Sequence, residues 1–195
     1  MRSEDWDARY AAAQQWSDEP NALAASLLAD VPAGRALDVA AGEGRMALWL
    51  ASRGWSVTAL DFSPVGLQRG RQRAQERGLQ VDWQVADATA ADFGERTYDL
   101  VLVLYLQLSR QVLPEVLARC ARAVAPGGLL FVLGHDRDNL ERGFGGPPDP
   151  DVLYDVELLR TAADGLEVQR AEQVERVVGE STAIDVLLLA RRPER

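Results

Sequence analysis

The chain has one cysteine and one histidine in 195 residues, which removes several kinds of protein at the outset. A lone Cys120 excludes an internal disulfide and a thiolate metal cluster. A lone His135 excludes a multi-histidine metal centre, so no metal is expected. The thiol usage fits a reducing, cytoplasmic setting. Basic side chains are the minority, 21 against 30 acidic ones, for a net charge of −9. Nucleic acids and anionic membranes are recognised by clustered cations, and neither is expected as a partner here. No apolar run approaches the ~20 residues of a membrane span. The start, "MRSEDWDARY", is acidic and has no apolar centre, so it does not read as a signal peptide.

What the chain does have is enough apolar residues, 47%, to bury a core. Its length suits one domain over 1–195, with helices in 1–33 ahead of a core in 34–195, as a monomer or homodimer. Asp5 to Trp16 reads as a helix with Trp6, Tyr10 and Ala13 on one stripe, and Asn21 to Asp30 as a second. "ALDVA" is apolar without alternation, as in a strand buried on both faces. "GRMALWLASRG" is a helix stopping at Gly54, and "SVTALD" a second strand. In "SPVGLQRGRQRAQERG", Ser63 is the N-cap, Pro64 the first helical residue and Gly78 the stop. "LQVDWQVAD" alternates, placing Val81, Trp83 and Val85 on one face of an edge strand. "YDLVLVLYL" reads as a central strand, "LPEVLARCARAVA" as a helix ended by "PGG", and "LLFVLGH" as a fifth strand. A helix through about Ala163 follows the loop "GGPPDPDVLY". "LEVQRAEQVERVV" and "TAIDVLLLARR" then form an antiparallel pair across a short turn. Alternating strands and helices predict an α/β fold, a parallel sheet covered on both faces.

The chemistry centres on "LDVAAGEGRMALWLASRGWSVTALD". Gly42 and Gly44 fall between the first strand and the first helix, where doubly wound sheets bind ligands. A plain strand-to-helix turn explains two glycines equally well. Asp61, ending the next strand, adds a carboxylate able to take two ribose hydroxyls. Gly42, Gly44 and Ala47 also satisfy the dinucleotide pattern G-x-G-x-x-G/A. Asp38 separates the two ligands. A carboxylate ~4 Å from a phosphate, at an effective dielectric near 20, costs about 4 kcal/mol. Glu43 in the turn is expected to add to that repulsion. The acidic surroundings favour a positively charged nucleoside.

The pieces "LDVAAGEGR", "VTALDFS", "VADAT", "YDLVLVLYL" and "LARCARAVAPGGLLFVLG", in that order, resemble the class I methyltransferases that use S-adenosylmethionine (SAM). The resemblance implies a Rossmann-like three-layer αβα fold with a seven-stranded, mostly parallel sheet of order 3-2-1-4-5-7-6, strand 7 antiparallel. It implies SAM as cofactor. Asp38 would orient the amino group of the methionine part, and Ala40, Ala41 and Gly42 would line the cofactor with backbone. Asp61 would hold the ribose, Phe62 would pack on adenine, Asp87 and Ala88 would bond the adenine edge, and Leu104 would lie under the sulfonium. A strand-end cap for Asp87 and a core aromatic for Phe62 are the plainer alternatives. The chain departs from the family pattern at Ala40, where a glycine is usual.

On the acceptor side, "YLQL", "GHDRDNL" and "GGPPDPDVLY" resemble the bacterial subgroup of tellurite-resistance and thiopurine methyltransferases, which implies a small-molecule acceptor. Gln107 stands where that subgroup often has a histidine. Tyr105, His135 and Asp136 are the candidate catalytic residues. His135 is the one imidazole available as a base, or else a solvated or backbone-bonded strand-end histidine. Asp136 orients it, binds a cationic acceptor, or caps a turn. Trp6, Tyr10 and Trp16 either close over the cofactor as a lid or pack on the sheet. Cys120 is expected buried and inert, and the arginines of "RGRQRAQER" are expected on a wet helix face. A SAM-binding sensor without catalysis and a small NAD(P)-dependent oxidoreductase are the alternative functions.

Overall fold

The computed structural model describes residues 3–14 and 17–194. Its seven strands are ordered β3-β2-β1-β4-β5-β7-β6 in one sheet. By contacts the chain divides into two compact units, residues 1–92 and 93–195.

The first unit holds α1 (Ser3–Ala12), α2 (Ala22–Leu28), β1 (Arg35–Val39), α3 (Arg45–Ser52), β2 (Ser56–Asp61), α4 (Pro64–Glu76) and β3 (Asp82–Val85). β1 pairs parallel with β2, and β2 with β3, so β3 is the edge strand. Leu37 and Val39 of β1, Leu48 and Leu50 of α3, and Leu67 of α4 are buried. Each such side chain contributes about 1.5–3 kcal/mol on leaving water. α4 starts as its sequence dictates: Pro64 occupies the first turn and Ser63 Oγ accepts the Gly66 amide at 3.0 Å. Asn21 caps α2 in the same way, accepting from the Ala24 amide at 3.0 Å.

Two expectations for this unit need correction. α1 ends at Ala12, so Ala13 lies beyond it and is exposed, and Trp16 falls outside the described residues. The expected apolar face of β3 is formed only in part. Val81 and Trp83 are half-buried, the Trp83 ring packing over Gly44 and Gly70, but Val85 is 57% exposed.

The second unit holds β4 (Tyr98–Leu104), α5 (Leu113–Ala123), β5 (Val124–His135), α6 (Asn139–Arg142), α7 (Val156–Ala162), β6 (Glu167–Val178) and β7 (Ser181–Arg191). β4 and β5 are parallel, whereas β7 runs antiparallel to both β5 and β6. Leu100 to Val103, Leu130 to Val132 and Val186 to Leu188 are fully buried, which is why these runs carry no polar alternation. β5 begins five residues earlier than the apolar run suggests. Pro126 bars helical geometry at Ala125, and the chain leaves the helix just ahead of it: α5 stops at Ala123 and Val124 is already extended opposite Tyr98. Cys120 is fully buried, and burial pushes its thiol up to about 12, so it is an inert core residue. Among the described residues no helix is long and apolar enough to cross a membrane.

Candidate functional site

In the first unit the turn after β1 is wound by left-handed backbone. Ala40, Gly42 and Gly44 have φ of 60°, 58° and 75°. Ala40 therefore adopts the conformation for which glycine is the natural residue, at a cost of about 1–2 kcal/mol. The turn is tied to the end of β2. Asp61 Oδ2 accepts the Gly42 amide at 2.8 Å and its Oδ1 accepts the Ser63 amide at 2.8 Å. Burial raises the Asp61 carboxyl above its ordinary value, against those two amides.

Asp38 is 3% exposed, and its Oδ2 is buried without a hydrogen-bond partner. Burial first, and then the charge of Asp61, push this carboxyl from 3.8 to about 7, against the Ala47 amide and Arg45. A desolvated, half-satisfied acid beside a second acid is a poor neighbour for a phosphate and a good one for an ammonium or sulfonium group. The side chains that line the turn therefore fit SAM.

Glu43 does not act on the turn as expected. It is buried 1% exposed, with Oε1 at 3.2 Å from Arg69 Nη1 and 3.4 Å from Arg73 Nη2. Arg73 and Arg77 also reach Asp18 at 3.3 Å. The arginines of α4 thus neutralise a buried acid of the turn rather than forming only a wet face.

Phe62 is half-buried and Ala88 buried at the ends of β2 and β3. Asp87 is exposed and its Oδ1 accepts the Thr89 amide at 2.8 Å, the strand-end cap that was its plainer alternative. Ala41 closes the turn, accepting the Gly44 amide at 2.8 Å. α1 rests on the start of α4. Ser63 Oγ donates to Asp7, and Tyr10, stacked on Trp6 with ring centroids 5.5 Å apart, packs against Gly66. A Cβ on Gly66 would lie 3.0 Å from the Tyr10 ring and 3.1 Å from the Gly42 carbonyl. This brings α1 to the glycine turn.

In the second unit the C-terminal ends of β4 and β5 present Leu104, Tyr105, His135 and Asp136. Leu104 is half-buried. Tyr105 has φ of 55°, and its hydroxyl donates to Asp185 Oδ2 at 2.8 Å. Its ring lies 4.8 Å from that of His135. His135 Nδ1 is 3.0 Å from Asp185 Oδ1, close but not aligned as a full hydrogen bond. Arg176 Nε donates to Asp185 Oδ2 at 2.7 Å, with its guanidinium 5.6 Å from the Tyr105 ring centre. Burial raises the Asp185 carboxyl, but His135, Arg176 and Tyr105 outweigh it and hold the group below its ordinary value. Asp136 has other partners: its Oδ1 accepts the Asp138 amide at 2.9 Å and the Gln173 side-chain amide at 3.0 Å. The carboxylate beside His135 is thus Asp185. Sequence reasoning passed over Asp185 and Arg176. The available signal was one acid inside the apolar run "TAIDVLLLA", since a charge in a buried strand requires partners.

Residues 36–128 match a family model described as a methyltransferase domain. The demethylmenaquinone methyltransferase of Thermus thermophilus is 38% identical over 101 residues, 51% of this chain and 46% of that protein. The chain spans about half or less of the length of the curated relatives it matches. A structure concerned with the conversion of a disulfide bond into a thioacetal group during echinomycin biosynthesis superposes with a TM-score of 0.76 at 24% identity, covering 100% of this chain and 93% of that one. TehB from Haemophilus influenzae superposes at 0.75 with 16% identity, covering 98% and 68%. At these identities the structural likeness shows a shared fold.

Proposed function

We propose that this chain, which matches a methyltransferase-domain model over residues 36–128 and has the sheet order β3-β2-β1-β4-β5-β7-β6, moves a methyl group from SAM to a small-molecule acceptor. The observation that carries the reading is the buried, unpartnered oxygen of Asp38 beside Asp61. Two neighbouring buried acids, opposed at Asp38 only by the charge of Arg45, leave that oxygen unsatisfied, and a cationic nucleoside completes the arrangement. The dinucleotide alternative meets a second obstacle, because the Gly42 amide is already donated to Asp61 and is not available to a pyrophosphate.

Asp38 holds the ammonium of the methionine part, and Ala40, Ala41 and Gly42 supply backbone along it. Asp61, which already takes the Gly42 and Ser63 amides, accepts from the ribose as well. Phe62 covers the adenine, and Asp87 and Ala88 meet its edge. Trp6 and Tyr10 of α1 exclude water from the nucleoside. Leu104 would meet the sulfonium end, and bound SAM would supply an electrophilic methyl group there. On the acceptor side Tyr105 positions and His135 takes a proton, while Asp136 fixes the loop after β5. Orientation of this kind accounts for much of the rate, since effective molarity alone supplies ~7–11 kcal/mol.

Relatives named for demethylmenaquinone and for ubiquinone and menaquinone biosynthesis make reduced quinones the first acceptors to assay, with thiols, phenols and amines beside them. Transfer of labelled methyl from SAM to any of these supports the reading. SAM binding with no turnover across the panel supports a sensor instead.

A further inference from the structure

The geometry points to Asp185 as the positioning residue of the acceptor-side base: it keeps the His135 proton on Nδ1, so that Nε2 carries the lone pair, and this assigns the acceptor to nucleophiles that must lose a proton. The inference rests on the methyl-transfer reading and deepens it.

Asp185 is 1% exposed and stands in β7 directly opposite His135 of β5. A carboxylate so placed persists only with partners, and three side chains converge on it: Tyr105 at 2.8 Å, Arg176 at 2.7 Å and His135 at 3.0 Å. Together they keep the acid ionised. A lone pair on Nδ1 would face that negative charge, whereas an N–H there meets it favourably, which leaves Nε2 bare. Arg176 balances the charge of Asp185, so the cluster does not depend on a permanently cationic ring. Neutralising Asp185 needs only Arg176; the rest of the arrangement is more specific. Tyr105 is held at φ 55°, a conformation a bulky residue rarely adopts, and this brings its hydroxyl to Asp185 and its ring to His135.

The step balances without an added reagent. The acceptor's X–H bond breaks, its proton passes to Nε2, and its electron pair forms the bond to the methyl carbon as the methyl–sulfur bond opens with its own pair left on sulfur. The proton returns from the imidazolium to water. Acceptors that carry such a proton are phenols, hydroquinones, thiols and amines. Acceptors with only a free lone pair, such as thioethers, gain nothing from the base.

The chain's single histidine gives an unambiguous 15N spectrum. We expect the neutral ring of the wild-type protein to be protonated on Nδ1. In Asp185→Asn the side-chain amide donates to Nδ1, and the spectrum should change to the Nε2-protonated form. Turnover of a phenol or thiol should fall about 100-fold, with SAM affinity changed less than twofold. In a His135→Gln background the same substitution should cost nothing further. Protonation on Nε2 in the wild type overturns the inference, and that spectrum needs no variant to fold. An equal loss of turnover in both backgrounds also overturns it, because Asp185 then acts on stability alone. A wild-type protein that binds no SAM in calorimetry is a failure of the methyl-transfer reading, and the tautomer still decides the role of Asp185.

Discussion

The Gly42 amide donates to Asp61 Oδ2 at 2.8 Å, so the acid that ends β2 holds the turn that follows β1. The same carboxylate takes the Ser63 amide on its other oxygen. One side chain thus fixes the glycine turn and the entry to α4 together.

Removing that side chain has a defined cost. In Asp61→Ala both amides lose their acceptor in a region where water is excluded, at about 1–3 kcal/mol for each orphaned group. We expect the variant to be at least about 2 kcal/mol less stable in urea, with Asp61→Asn between it and the wild type. A change below about 0.5 kcal/mol, the ordinary range of surface substitutions, contradicts the clamp.

Asp38 makes stability depend on pH in an unusual sense. Its carboxyl is raised from 3.8 to about 7, so the folded protein binds this proton more tightly than the unfolded chain. The stability it contributes is complete below the unfolded value and is lost as pH rises through the folded one. Within that window each pH unit costs about 1.4 kcal/mol. Urea midpoints measured from pH 4 to 8 should fall more steeply for the wild type than for Asp38→Asn. Parallel profiles contradict the assignment. SAM affinity runs the other way, rising with pH as the acid ionises.

How far these relationships were legible in the sequence depends on what fixes them. Runs such as "LDVA" and "LVLVL" read as buried strands because two-sided burial removes alternation. Ser63 and Pro64 marked a helix start because capping is local. The edge position of β3 followed from its alternating pattern, but which of its side chains are covered did not: Trp83 is large enough to reach across to Gly44 and Gly70, and Val85 is not. The pairing of Glu43 with Arg69 and Arg73 depends on the direction in which a left-handed turn throws a side chain. The Asp185 cluster depends on the antiparallel register of β5 and β7, which sets residues 135 and 185 opposite each other. Neither is a spacing that can be counted along the chain.

Gly70 offers a test in which the usual sign reverses. Gly to Ala inside a helix ordinarily stabilises by about 1 kcal/mol. Here an added Cβ would lie 2.6 Å from the Trp83 ring and 2.9 Å from the Glu43 carbonyl. Overpacking of this kind costs about 1–3 kcal/mol. Gly70→Ala should therefore lower the urea midpoint, and pairing it with Trp83→Leu should restore part of the loss. A midpoint raised by the single substitution contradicts the packing.

Ala40 gives the opposite case. At φ 60° it carries the left-handed penalty of about 1–2 kcal/mol, and glycine would relieve this while adding about 0.4–1 kcal/mol of unfolded-chain entropy. The net expectation for Ala40→Gly is a gain of roughly 0.5–1 kcal/mol with SAM binding retained. Ala40→Val should lose stability and binding together. A less stable glycine variant contradicts the account of this turn.

The most direct measurement is calorimetric titration of the wild-type protein and Asp38→Asn with SAM and, separately, with NADH. We expect SAM to bind the wild type, the variant to bind it at least tenfold more weakly, about 1.4 kcal/mol, and NADH to give no binding heat with either. Saturable binding of NADH to the wild type, or SAM binding indifferent to Asp38, would contradict a cofactor site built on buried acids.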